Sequence, residues 1–415
     1  MIDTAVVLFD ENNPLMPVLG MQMVERSILA ASRNGIEHFI ITGPTRREVR
    51  RKIENSEFIG HFNIRFVSDQ GEVDAVSDDE QMLLIVADYL IHERNVGNII
   101  DSGMSDSGVV LGIAREENCL NLINPIRFEK GDGSEEDIRY VFSGLGLCGA
   151  DALAALASIE KGWNTSLESM LDAIVDKVGM DYVELERIYG IRISSLDEAR
   201  IAEKIMLKNI YGPSDLLSVR YFEGGFSLRI TRSASQRKCS GRMVDVLSIM
   251  AAGSALWMMI TGTYFWRVAG AMLLLFSMIL RRSSRELAEL MYLDIQRYKR
   301  ADSLVTGVIF SFIFAGLGTR MYWDLGNTAA LFAGGVCAVS TLVTFMFEPV
   351  VPKQNGASLL VRLFLGIDRL FRERHLVYVI LIFLLMDKPS GLLFGAAPVL
   401  TLLAVINFLL SKSRT

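Results

Sequence analysis

GGFSLRITRSASQRKCSGRMVDVLSIMAAGSALWMMITG, residues 224–262, divides the chain into two unlike halves. Its first part carries Arg229, Arg232, Arg237, Lys238 and Arg242 with no acid between residues 224 and 242, and an apolar run follows from about residue 243 to 262. Basic residues set against the start of an apolar run suit the phosphate level of an anionic membrane surface. A solvated linker is the plainer reading of residues 224–242; the adjoining span favours an interfacial segment.

Charge divides at the same place. Residues 1–210 hold 36 acids and 20 bases, residues 211–415 hold 12 and 22, and the basic half is the apolar half. A basic excess between hydrophobic runs points to the inner leaflet rather than to nucleic acid. At 415 residues the chain is long enough for two domains. Cys119, Cys148, Cys239 and Cys337 form no C-x-x-C pair, and His38, His61, His92 and His375 are scattered. No disulfide framework and no zinc site is expected. The opening MIDTAVVLFDENNP lacks a basic n-region and a long apolar core, so the first domain is expected to stay in the cytoplasm.

C-terminal of the basic stretch come six apolar runs, about 243–262, 265–280, 303–319, 328–348, 375–387 and 391–410. Several fall short of the roughly 20 residues that a straight span needs, and the fifth is the shortest. The loops set the orientation. Arg281, Arg282, Arg285, Arg297, Lys299 and Arg300 follow the second run, and Lys353, Arg362, Arg369, Arg372 and Arg374 follow the fourth. The remaining connections hold at most one base each, so the alternation predicts an inner (plasma) membrane protein with both termini in the cytoplasm.

N-terminal of it, TAVVLF (4–9), HFIIT (38–42) and MLLIVA (82–87) alternate with helical patterns at 23–35 and 47–56. That order predicts an α/β domain with a parallel sheet wrapped by helices. Further strands are expected at 108–114 and 139–145, and helices at 149–159, 165–178 and 195–210, the last capped by Ser195 with Glu198 three positions on. The domains are therefore 1–210, a basic juxtamembrane linker 211–242, and an all-α six-helix membrane bundle 243–412.

Four stretches of the first domain resemble the sugar-phosphate and phospho-alcohol nucleotidyltransferases. NPLMPVLGMQMVERSILAASRNGIEHFIITG (13–43) is similar to their Pro-Leu-x-Pro-Val-x-Gly turn, helix and second strand. LLIVADYLIHERNV (83–96) is similar to the strand delivering a metal-binding aspartate, which the resemblance places at Asp88. YVFSGLGLCGADALAAL (140–156) and YGIRISSLDEARIAEKIML (189–207) resemble the Phe-x-Gly and closing segments. The resemblance implies a Rossmann-type sheet and a nucleotide site. This chain departs from it where the chemistry sits. The phosphate loop is replaced by Phe9, Asp10, Glu11, Asn12 and Asn13, whose acids repel phosphate, and the second metal aspartate falls on Ser194, with Arg192 two before it. Asp88 is then a strand-end residue capping a turn.

A six-span bundle behind such a domain resembles the bifunctional enzymes that make a CDP-alcohol and pass its phospho-alcohol to a lipid. Their motif is D-x-x-D-G-x-x-A-R, eight residues, G, three residues, D, three residues, D; the acids hold a divalent ion against the pyrophosphate and deprotonate the attacking hydroxyl. Aligned through Ala288, the four acids fall on Arg281, Ser284, Asp302 and Thr306, and the two glycines on Arg285 and Tyr298. Asp302 is the one retained candidate catalytic acid, and FRERH (371–375) resembles a short Arg/Glu motif placing Arg372 and Arg374 at the cytoplasmic mouth.

The reading that follows is a catalytically degenerate relative that binds or scaffolds, with Arg281, Arg285, Arg372 and Arg374 as candidate anion-binding residues. Its expected partners are membrane lipids with anionic headgroups, and an active paralogue or a second copy through the membrane domain; no nucleic acid is expected. Arg281, Arg282 and Arg285 read either as a positive-inside anchor or as direct phosphate contacts. Asp302 is expected to pair with one of these arginines, because an unpaired acid at a span is costly. No cofactor is expected. Mg²⁺ or Mn²⁺ enters only under the alternative, a divergent headgroup transferase that still uses a CDP-alcohol donor.

Overall fold

Strand β1 (Thr4–Leu8) is buried along its whole length, as a strand covered on both faces must be. It lies in a computed structural model that describes residues 2–8, 15–42, 47–67, 81–103, 108–119, 122–123, 125–129, 139–149, 181–186, 188–210, 224–237, 239–292, 295–347 and 375–412. The chain separates into two compact units, Met1–Pro213 and Ser214–Thr415.

In the first unit β1 is followed by β2 (Pro17–Val18), β3 (Met21–Gln22), α1 (Met23–Ser32), β4 (His38–Thr42), α2 (Arg47–Glu54), β5 (Asn63–Val67), β6 (Met82–Val86) and α3 (Glu93–Ser102). Then come β7 (Val109–Arg115), β8 (Arg127–Glu129), β9 (Arg139–Cys148), β10 (Asp181–Glu184) and α4 (Leu196–Asn209). The sheet runs β10-β7-β9-β6-β1-β4-β5, with β8 beside β9. β1 pairs in parallel with β4, Val6 opposite Ile40, and with β6, Val6 opposite Leu84. β9 is antiparallel to both β6 and β7, so the sheet is mostly parallel with an inserted reversed strand. This is the α/β class expected from the sequence.

Two local devices bear on the site. Gly144 sits at φ +81°, against the Tyr89 side chain, where any Cβ would collide. The Tyr89 ring packs edge-on to Phe142 at 5.5 Å. The turn after β2 passes through Leu19 at φ 50° and Gly20 at φ 76°. It is held by Leu19 N donating to Glu203 Oε1 at 3.0 Å and Arg26 Nη2 donating to the Val18 carbonyl at 2.8 Å. Ser195 caps α4 with the capping box read from the sequence. The helices expected at 149–159 and 165–178 lie outside the described residues, apart from Gly149.

The second unit is all-helical: α5 (Gly224–Gln236), α6 (Gly241–Thr261), α7 (Tyr264–Leu290), α8 (Ile295–Leu325), α9 (Thr328–Met346), α10 (His375–Leu385) and α11 (Pro389–Lys412). Five helices, α6 to α9 and α11, are long and apolar enough to cross a membrane; α10, the expected fifth span, is a shorter apolar helix among the described residues. Small residues bring the helices together. Ser248 and Ser277 exchange hydroxyl-to-carbonyl bonds of 3.0 and 2.8 Å between α6 and α7. A Cβ on Gly318 would stand 2.9 Å from the Gly334 Cα, so α8 and α9 meet backbone to backbone. The core contains Met259, Leu274, Phe314, Cys337, Ile380 and Leu400, while Trp257, Phe265, Phe332 and Leu402 are exposed. Apolar surface outside as well as inside is the pattern of a lipid-bathed bundle.

The 211–242 stretch, expected as a linker, contains helix α5. Ser227, Thr231 and Ala234 are buried, whereas Phe226, Arg229 and Ser233 are exposed. The helix thus turns its small polar face, rather than its basic one, to the bundle.

Candidate functional site

Leu280 ends the apolar part of α7, yet the helix continues three turns to Leu290. Arg281, Ser284, Arg285 and Ala288, at i, i+3, i+4 and i+7, fall on one face of that extension. Arg281 is only 3% exposed. Its Nε donates to Asp302 Oδ1 at 2.8 Å, and its Nη2 reaches the same oxygen at 2.7 Å and the Asp302 carbonyl at 3.2 Å. A charged helix end can stay buried because its charge is paired and hydrogen-bonded.

One turn on, the Ser284 hydroxyl donates to the Gly241 carbonyl at 2.7 Å. It also meets the Tyr298 hydroxyl, which in turn donates to Asp245 Oδ2. Tyr298 and Asp302 lie four apart on α8, so α6, α7 and α8 converge on one polar cluster. Thr306 closes it, its hydroxyl donating to the Asp302 carbonyl at 2.8 Å. Arg285, Tyr298, Asp302 and Asp245 are half-buried, which leaves the cluster open on one side. Two buried atoms in it have no hydrogen-bond partner, Nη1 of Arg281 and Oδ1 of Asp245.

A second buried network stands beside it on the neighbouring face of α7. Glu286 receives Arg282 Nε at 3.0 Å, the Ser227 hydroxyl at 2.6 Å and the Thr231 hydroxyl at 2.7 Å. The carboxylate thereby joins α5 to α7. Arg281 and Arg282 thus point into the bundle, not into open water as a bare positive-inside anchor would.

The structure brings together Arg281 and Asp302 and places Arg285 on the same helix face; Arg372 and Arg374 lie outside the described residues. Asp245, Tyr298 and Ser284 were not singled out as site residues from the sequence. The available signal for Asp245 was a lone acid two residues inside an apolar run, which is costly without a partner. Among the described residues no group of three or more His, Cys, Asp or Glu side chains is placed to hold a metal ion. The donor set at Asp302 does not fit a divalent cation, because a guanidinium already holds Oδ1 of its carboxylate through two nitrogens.

In the first unit Asp88 follows the end of β6 and is buried. Its carbonyl accepts from Ile193 N at 2.8 Å, and Leu90 N donates to the Ile191 carbonyl at 3.0 Å. The 191–194 segment therefore lies against the strand end. Ser194 there gives its backbone N–H and hydroxyl to Glu198 Oε2 at 2.6 and 2.8 Å. Residues 9–13, the expected phosphate-loop replacement, lie outside the described residues. No reactive thiol stands in for a nucleophile here: burial pushes Cys148 up to about 12, and burial followed by the nearby Glu116 charge pushes Cys119 up to about 11.

No family profile and no curated protein matches the chain. Among solved structures, the chain is similar to a UDP-glucose pyrophosphorylase in its apo form, at 12% identity and TM-score 0.39, over 51% of this chain and all of that one. It is also similar to CMP:2-keto-3-deoxy-manno-octonic acid synthetase complexed with CTP, at 11% identity and TM-score 0.37, over 50% of this chain and 99% of that one. A third is a 4-diphosphocytidyl-2C-methyl-D-erythritol synthase from Anaerococcus prevotii, at 13% identity and TM-score 0.35, over 49% and 97%.

Proposed function

We propose that this chain is an inner-membrane relative of the CDP-alcohol phosphotransferases, both termini in the cytoplasm, that binds a lipid headgroup and scaffolds without performing metal-dependent transfer. The soluble unit is, in this reading, a nucleotidyltransferase-like head that the membrane unit tethers to the bilayer. Its partners are headgroups and either an active paralogue or a second copy of the chain.

The observation that carries the proposal is the buried Arg281–Asp302 pair. The resemblance puts a metal-binding acid at each of these positions. Here one has become a fixed cation on the other, and a divalent ion brought to Asp302 meets like charge at contact distance. The guanidinium holds in place the charge balance that a metal would supply in an intact relative. Ser284 and Thr306, at the other two acid positions, spend their hydroxyls on the Gly241 and Asp302 carbonyls.

A divergent transferase remains the competing reading, because Arg281 faces Asp302 rather than turning away from it. The two part on turnover. Full-length protein in lipid nanodiscs, given CDP-alcohols with Mg²⁺ or Mn²⁺, is expected to release no CMP above the lipid blank. Metal-dependent release abolished by Asp302→Asn would replace the scaffold reading with the enzymatic one.

A further inference from the structure

We infer that the cluster of Arg281, Ser284, Tyr298, Asp245 and Asp302 reads one headgroup chemistry, a phosphodiester that carries a primary ammonium. This rests on the headgroup-binding reading above and narrows it. The two unpartnered buried atoms have opposite senses: Arg281 Nη1 is a donor, and Asp245 Oδ1 is an acceptor. A buried polar atom left without a partner carries its full desolvation cost, and more when charged, so a ligand that completes both is favoured over one that completes either.

Charge selects further. Arg281 and Arg285 bring two positive charges to the cluster, and Asp245 and Asp302 bring two negative ones. A balanced site gains nothing from an anion alone, whose charge would face the two carboxylates. A zwitterion meets both, its phosphate at Arg281 and its ammonium at Asp245. A quaternary ammonium has no N–H to give Asp245, and a glycerol headgroup offers hydroxyls without the positive charge. The primary amine has both.

The wild-type protein in nanodiscs tests this without any substitution. Retention of co-purifying lipid is followed by mass spectrometry across phosphatidylethanolamine, its N-monomethyl and N,N-dimethyl forms, phosphatidylcholine and phosphatidylglycerol. Retention is expected to fall along the methylation series, with phosphatidylcholine and phosphatidylglycerol roughly tenfold below phosphatidylethanolamine, the ratio that one charge-assisted hydrogen bond supplies. Asp245→Asn, which can still accept from Tyr298, is expected to erase the preference. Displacement by soluble glycerophosphoethanolamine would assign the site to the free headgroup; retained lipid in its presence would assign it to the bilayer form. Equal retention of the five lipids by the wild type, or an Asp245→Asn preference matching wild type, would overturn the inference. CMP release from a CDP-alcohol would sink the scaffold reading and leave the lipid selectivity standing.

Discussion

Arg281 stands where the resemblance expects an aspartate, and it is bound by both Nε and Nη2 to the surviving acid. Removing one member of a buried pair leaves the other charged and unsolvated. Arg281→Ala and Asp302→Ala are each expected to destabilise the bundle by about 3–5 kcal/mol, while the apolar double variant Arg281→Met/Asp302→Leu loses much less. Unfolding in detergent micelles reads the difference, and single-variant losses that simply add in the double would count against the pairing. In the first unit, burial pushes the Cys148 thiol up to about 12 from its ordinary 9.0. It should resist iodoacetamide at pH 8 in the folded protein and react once unfolded. Because the folded value is the raised one, its stabilising share is complete below about pH 9 and is lost as pH rises toward 12. The Arg–Asp pairing was legible in the sequence, because an acid at a span's start must find a cation. Asp245 was not. Its Oδ2 accepts from a tyrosine fifty-three residues away, a contact that no local pattern announces.

Helices α7 and α8 run beyond their apolar windows, the first to Leu290 and the second from Ile295. Hydropathy locates the lipid-facing length of a helix, and it stops where charge begins. Here Arg281 and Arg282 are turned inward and paired with Asp302 and Glu286, so the helices continue. The same blindness hid α5. Its arginines marked the stretch as basic, but its structural face is Ser227, Thr231 and Ala234, spaced four and three apart. Glu286 accepts the Ser227 and Thr231 hydroxyls of that face, so Glu286→Ala is expected to undock α5. Hydrogen exchange across residues 224–236 should rise at least tenfold, with little change in α9; unchanged protection would mean that the hydroxyl bonds do not hold the helix. Strand β5 (NIRFV) escaped sequence reading for a different reason. It lies at the sheet edge, where Asn63 and Arg65 face water and the apolar run is broken.

Across the whole molecule, the central strands and five of the spans were legible because burial on both faces, or in lipid, leaves long branched apolar runs. β9 was found as a strand, but not its reversal between β6 and β7, which no single segment encodes. The division into Met1–Pro213 and Ser214–Thr415 falls where the charge balance changes, ahead of the first apolar run, which begins near residue 243. The helical unit contains a converging three-helix polar cluster in which an internal cation stands where the resemblance expects a metal ligand. Binding of Mn²⁺ to the full-length protein, followed by electron paramagnetic resonance, tests that substitution most directly. The free Mn²⁺ signal should fall no further in protein-loaded nanodiscs than in empty ones of the same lipid. One equivalent of Mn²⁺ captured by the wild type, and released by Asp302→Asn, would contradict it.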